Sequence, residues 1–189
     1  MPVEIGKKRE ASFDDPLGLL SDCHRRIERF LGVLVKLCER GTGVTLEADE
    51  RASLEASLNY FRNSAPKHTA DEEDSLFPRL RASERASEVS AALARLEGDH
   101  ETAERDHAAV DQLGARWLSD GHLNDEDAKL LRETVARLAQ LYASHIALED
   151  RELFPLAGRI LGASELAEVG QEMADRRGVA GCASSKATK

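Results

Sequence analysis

Histidine followed four residues later by glutamate occurs at His24/Glu28, His68/Glu72, His100/Glu104 and His145/Glu149. Each pair sits in a stretch whose apolar spacing predicts helix. Residues four apart lie on one helix face about one turn from each other, so an imidazole and a carboxylate can reach one cation together. The chemistry this spacing points to is metal binding. Two of the pairs also share their surroundings: HTADEEDSLFP runs from His68 to Pro78, and HIALEDRELFP from His145 to Pro155. Histidine, glutamate, a second acid and Leu-Phe-Pro recur at the same spacing, and His24 and His100 repeat in SDCHRRIE and EGDHETAE. A two-helix unit used twice would bring four helices to one centre with approximate two-fold symmetry.

The elements that must position these side chains follow from the apolar stripes. In a first helix, about residues 16 to 40, Leu17, Leu20, His24, Ile27, Leu31, Leu34 and Cys38 alternate spacings of three and four, which places His24 on the seam. Asp14 or Asp15 before Pro16 is the candidate cap, and Gly41 and Gly43 the stop. A second helix, about 46 to 81, carries Leu54, Leu58, Phe61, Ala65, His68 and Glu72 inward, with a kink expected at Pro66. A third, about 86 to 118, carries Val89, Leu93, Leu96, His100, Ala103, His107, Val110 and Trp117. His100 and His107 are one heptad apart in equivalent seam positions, and Glu104 competes with His107 as the second donor. The fourth, about 124 to 160, is capped by Asn124 or Asp125 and carries Leu131, Val135, Leu138, Tyr142, His145 and Glu149. The bundle is thus expected over 14–160. Over 161–189 a short amphipathic helix, about 164 to 176, and a mobile tail follow, and residues 1 to about 12 read like the tail.

Composition bounds the class. A chain of 189 residues supports one core, and its 41% hydrophobic but only 4% aromatic content fits helices better than sheets. A net charge of −9 argues against nucleic acid as a partner, because a polyanion calls for a basic face. No apolar run approaches the roughly 18 residues of a membrane helix. MPVEIGKKRE lacks a signal-peptide core, so a cytoplasmic protein is expected. Cys23, Cys38 and Cys182 have no CxxC spacing, and the first two read as packing residues. His122, between glycine and leucine, reads as an exposed loop residue.

A lone histidine on an apolar helix face is more often a hydrogen-bonded core residue than a ligand. Here His24, His68, His100, His107 and His145 coincide with Glu72 and Glu149 near the middle of one predicted core. Burying so many ionisable groups without a cation would cost several kcal/mol apiece or force large pKa shifts. Seven donors exceed the four of a structural zinc site and suit two ions bridged by carboxylates. Mixed imidazole and carboxylate ligation favours iron, with manganese or zinc as substitutes.

On these residues the chain resembles the hemerythrin-like, or HHE cation-binding, domain over roughly 14–160. The matching features are one histidine in the first helix, HxxxE before Leu-Phe-Pro in the second, His100 with or without His107 in the third, and HxxxE in the fourth. The resemblance implies an all-α, up-down-up-down four-helix bundle holding two iron ions, oxo- or hydroxo-bridged. Glu72 and Glu149 would bridge, and His24, His68, His100, His107 and His145 would be terminal ligands. Oxygen-carrying hemerythrins instead have HxxxH in the third helix and HxxxxD in the fourth. The pattern here is closer to relatives in iron–sulfur repair, nitric oxide handling or iron and oxygen sensing.

The expected role is therefore a di-iron protein that binds or redox-processes O2, peroxide or NO, or senses or stores iron. Peroxidase-like or oxidase-like turnover falls within that reading. The alternative is a metal-stabilised bundle that binds another protein. A ferritin-like oxidase fits less well, because that architecture uses Glu-x-x-His with the glutamate first. Tyr142 stands one turn before His145 as a further donor or a core tyrosine. Glu28 and Glu104 are candidates to orient His24 and His100 or to replace a ligand.

Overall fold

The computed structural model describes residues 11–42 and 44–179; Gly43, Cys182 and the outermost parts of both predicted tails lie outside them. The fold is all-α. α1 (Pro16–Arg40) starts at Asp15, whose carboxylate accepts from Gly18 N at 3.1 Å, and Pro16 fills a first-turn position that needs no amide donor. It ends at Gly41, where φ is +130°. The second rod is α2 (Ala48–Asn63), α3 (Ala65–Ala70), a π-helical segment π1 (Asp71–Leu76) and α4 (Phe77–Ala82). The third is α5 (Ala86–Asp120). The fourth is α6 (Asp125–Leu148), a second π segment π2 (Glu149–Leu153) and α7 (Phe154–Ile160). Asn124 caps α6 by accepting from Asp127 N at 2.9 Å. α8 (Ala163–Arg176) follows. α1 packs on α2 and α6, and α5 packs on the same two, which closes an up-down-up-down bundle. Among the described residues no helix is long and apolar enough to cross a membrane.

Two departures from the expected rods matter for the centre. At Pro66 the second rod is interrupted at one residue, Ser64, and the proline sits in the first turn of α3, where its missing N–H disrupts nothing. The π segments have a common local cause. Pro78 and Pro155 cannot donate, and a proline ring collides with the carbonyl four residues back, here Asp74 and Arg151, both inside the π turns. The helix loosens: Phe77 N–H and Phe154 N–H bond the Glu72 and Glu149 carbonyls, five residues back.

The burial pattern requires the same loosening. Leu54, Leu58, Phe61, Ala65 and His68 alternate fours and threes, as α-helix demands, but His68, Glu72, Leu76 and Leu80 follow at three successive fours. In the fourth rod His145, Glu149, Leu153 and Ala157 do the same. Each step of four drifts about 40° in an ideal helix, so three would carry the last side chain off the face. The wide turn absorbs the drift.

Two apolar clusters result. One holds Leu31, Leu34, Leu58, Phe61, Val110, Trp117, Leu138 and their neighbours. The other holds Leu20, Leu76, Phe77, Leu93, Leu96, Leu153 and Phe154 together with Val169 and Met173 of α8. α8 approaches closely because Gly170 has no Cβ; one there would stand 1.9 Å from the Phe13 carbonyl oxygen. The predicted metal ligands other than His107 form a polar layer between the two clusters.

Candidate metal centre

Four rods each deliver donors to this layer: His24 from α1, His68 and Glu72 from α3 and π1, His100 from α5, and His145 and Glu149 from α6 and π2. All six are buried, and Glu72 and Glu149 are fully inaccessible. Their donor atoms fall into two sets, each with all atoms within 4.8 Å of one another: His24, His68, Glu72 and Glu149, and Glu72, His100, His145 and Glu149. Both carboxylates belong to both sets.

The imidazoles point Nε2 inward. His24 Nε2 and His145 Nε2 each lie 3.1 Å from Glu149 Oε2, His100 Nε2 lies 3.3 Å from Glu72 Oε2, and His68 Nε2 lies 3.4 Å from Glu72 Oε1. These contacts are not hydrogen bonds: His24 Nε2, His100 Nε2 and all four oxygens of Glu72 and Glu149 are buried without a hydrogen-bond partner. Buried polar atoms in native proteins are rarely left unpaired. Nitrogen and carboxylate oxygen lone pairs converging on two adjacent points suit a pair of divalent cations of the imidazole- and carboxylate-binding kind.

Outward, Nδ1 of three imidazoles meets a carboxylate: His24 with Asp150 at 3.0 Å, His100 with Glu73 at 2.7 Å and His145 with Asp99 at 3.4 Å. Such contacts fix the tautomer that leaves Nε2 free to bind a cation and raise its basicity. Glu73 and Asp150 are the second acid of the repeated motif, directly after each shared glutamate, and each supports the histidine contributed by the other repeat. The phenylalanines of Leu-Phe-Pro cross over in the same way. Phe154 stacks on His24 with centroids 5.4 Å apart, and Phe77 on His100 at 6.3 Å.

Without a cation, protons do the neutralising. Burial opposes charge on His24, but the carboxylates of Asp150 and Glu149 outweigh it and raise its pKa to about 10. Burial and the nearby Glu149 charge push Glu72 well up. Glu149 is held low against burial by His145 and His24, and His68 is driven well down by burial and by the His24 charge.

His107, expected among the ligands, stands apart from both donor sets. One heptad is about 10 Å of helix, so His100 and His107 cannot serve the same pair of ions. His107 Nε2 instead lies 3.0 Å from the Tyr142 hydroxyl, and its ring stacks on Phe61 at 4.2 Å. Burial lowers its pKa to about 4. Tyr142 lies beside the centre, its ring centroid 6.1 Å from His145, but joins neither set. Glu28 and Glu104, expected to orient His24 and His100, are exposed, because each seam runs on through the residue beside them, Ile27 and Ala103. Asp150 and Glu73 take those roles. Asp99, immediately before His100, carried no sequence signal of its own. His122 is an exposed loop residue whose Nδ1 lies 3.2 Å from the Asp120 carbonyl.

The comparisons agree with this geometry. The chain is 30% identical over 172 residues to an uncharacterized protein of Haemophilus influenzae, an alignment that spans 89% of this chain and 94% of that protein. The model of the Hemerythrin HHE cation binding domain matches residues 15–157, from the cap of α1 to the middle of α7. With a closed four-helix bundle around a buried layer of histidine and glutamate, the chain belongs to the hemerythrin family of HHE cation-binding domains.

Proposed function

We propose that this protein holds two iron ions between its four rods and uses them to bind or redox-process O2, peroxide or NO, or to report iron supply by its own occupancy. The observation that carries this reading is the sharing of Glu72 and Glu149 between two donor sets that each bring only two imidazoles. Bound iron would supply one-electron redox chemistry and, with so few protein donors per ion, positions open to a small ligand. The chain's own part is to hold the ions close with two fixed carboxylates, to orient three imidazoles from behind and to keep bulk water out with two apolar clusters. A cleft of about 500 Å³, lined by His100 and Glu73 among others, gives a ligand a route to one side of the layer.

The test is metal content of anaerobically purified protein, read with its ultraviolet–visible spectrum before and after air. Two irons per chain and near-ultraviolet absorption growing on oxidation are expected. Zinc or no metal, an unchanged spectrum and an intact helical fold would overturn the reading and leave a structural bundle that binds a partner protein.

A further inference from the structure

The cleft beside the centre is far larger than the proposed small ligands need. Its volume of about 500 Å³ compares with about 30 Å³ for a water molecule in the liquid and falls in the range of roughly 300–1,000 Å³ typical of sites for organic ligands. It opens between the second rod and α5, and its floor is apolar: Leu58, Phe61, Ala65, Ala103 and Val110. His107 and Tyr142 close the inner end, next to His100. The electrostatics of the lining are one-sided. Among the described residues that line it the one cationic side chain is Arg62, engaged by Asp111 at 2.5 Å, and His107 is neutral at physiological pH because burial opposes its protonation. Glu73 is occupied by His100, whereas Asp74, Glu101 and Glu104 line the cleft with no ion-pair partner among the described residues. Several unpaired carboxylates over an apolar floor disfavour an anion and suit a positive head on an apolar body.

We propose that this cleft is a binding site for a small organic cation, an amine carrying an aromatic or aliphatic body, seated with its body on Phe61 and Val110 and its ammonium toward Glu101 and Glu104. The site does not depend on the metal being iron, so its test is separate from the test of iron. Phenethylamine, phenethyl alcohol and phenylacetate share one body and differ in charge. Each is titrated into the full-length, metal-loaded protein and followed by ligand-observed NMR and calorimetry. Saturable binding is expected, with the amine at least about threefold tighter than the alcohol, the scale of a few exposed charge contacts, and the carboxylate weakest. Ala108 lines the cleft but is exposed, so Ala108→Trp obstructs it without disturbing the core and abolishes binding at an unchanged circular dichroism spectrum. The pair Glu101→Gln and Glu104→Gln brings the amine down to the alcohol. No saturable binding of any probe, a preference for phenylacetate, or amine binding indifferent to Ala108→Trp would each overturn the proposal.

Discussion

The two donor sets are built by one repeated unit, yet their surroundings differ. In the His100/His145 set both imidazoles are supported from behind, by Glu73 and Asp99, and the cleft reaches His100. In the His24/His68 set only His24 is supported, by Asp150; His68 Nδ1 is buried with no hydrogen-bond partner. At the repeat offset that relates His24 to His100, the counterpart of Asp99 is Cys23. The set without the second acid has something else. Asp71, wholly buried beside Glu72, is gripped by Arg176 and Arg177 at the end of α8, with Arg177 Nη2 at 2.5 Å and Arg176 also bonding Ser75. Its counterpart in the other repeat is Leu148, and no such clamp can form there. One set is supported behind both imidazoles and borders the cleft; the other is supported behind His24 alone and braced through the Asp71 carboxylate.

The largest effect is expected where the two sets meet. Because Glu72 and Glu149 serve both, Glu72→Ala or Glu149→Ala should empty both positions together, not one. Either should also destabilise the bundle by about 3–5 kcal/mol, the scale of breaking a buried charge network. Elemental analysis and thermal unfolding check this; a variant that keeps one full metal equivalent would break the sharing.

Next come the supporting acids, which sharpen the difference between the sets. Removing an outer carboxylate from a ligating histidine typically weakens metal binding about 10–100-fold. Glu73→Gln should lower the affinity of the His100/His145 set, and Asp150→Asn that of the His24/His68 set. In the unaltered protein the His100/His145 set should fill first, so a cobalt titration of metal-free protein should show two steps. A single step, unmoved by either variant, would mean that the sets are equivalent.

The metal-free protonation pattern gives a smaller effect with a definite sign. At neutral pH His24, with a pKa of about 10, holds a proton that a cation must displace, and burial together with the Glu149 charge favours the protonated form of Glu72. Metal uptake should release protons, visible as a buffer-dependent heat of binding, and affinity should rise with pH. The raised His24 value also stabilises the metal-free fold fully below its ordinary 6.5, and this contribution is lost as pH climbs through about 10. Metal-free protein should therefore lose thermal stability over that window, while loaded protein should not. Smallest is His107→Phe. It preserves the stack on Phe61, gives up the contact with Tyr142, costs about 1 kcal/mol for one lost hydrogen bond and should leave the metal count unchanged.

Much of this centre was legible in the spacing of the residues. The approximate spans of the four rods, a cap at one of two candidates for α1 and for α6, and the inward pairs at His68 and His145 follow from local rules and from the alternation of threes and fours, whereas the breaks into π turns did not. Periodicity misled at His107, because a seam position records that a side chain faces inward but not how far along the axis it lies from its partners. The helical rule also misassigned Glu28 and Glu104. Those acids are one turn from their histidines on the same helix, whereas Glu73 and Asp150 come from another rod, and only tertiary packing brings them together. Their trace in the sequence was the second acid after each repeated glutamate, which had no role until the cross-over of the repeats gave it one.

The wide turns at Asp71–Leu76 and Glu149–Leu153 leave each of these rods with two phases. Before the turn, the buried stripe serves the Leu58 and Leu138 cluster; after it, the stripe is shifted by one residue in the numbering and continues on the same face into the Leu96 cluster and α8. Deleting one residue inside either turn, Asp74 for example, would return the helix to an unbroken α phase. From His68 to Leu80 the chain would then take eleven steps, about 1,100° of helix and within about 20° of whole turns, so everything beyond would keep its face. Forcing all the residues present into an unbroken α-helix would instead swing Leu76, Phe77 and Leu80 off the core together by about 100°, and Phe77 would leave His100. The wide turn is therefore where each rod stores one surplus residue, and a position such as exposed Asp74 could be lost without turning the helix beyond it away from the core.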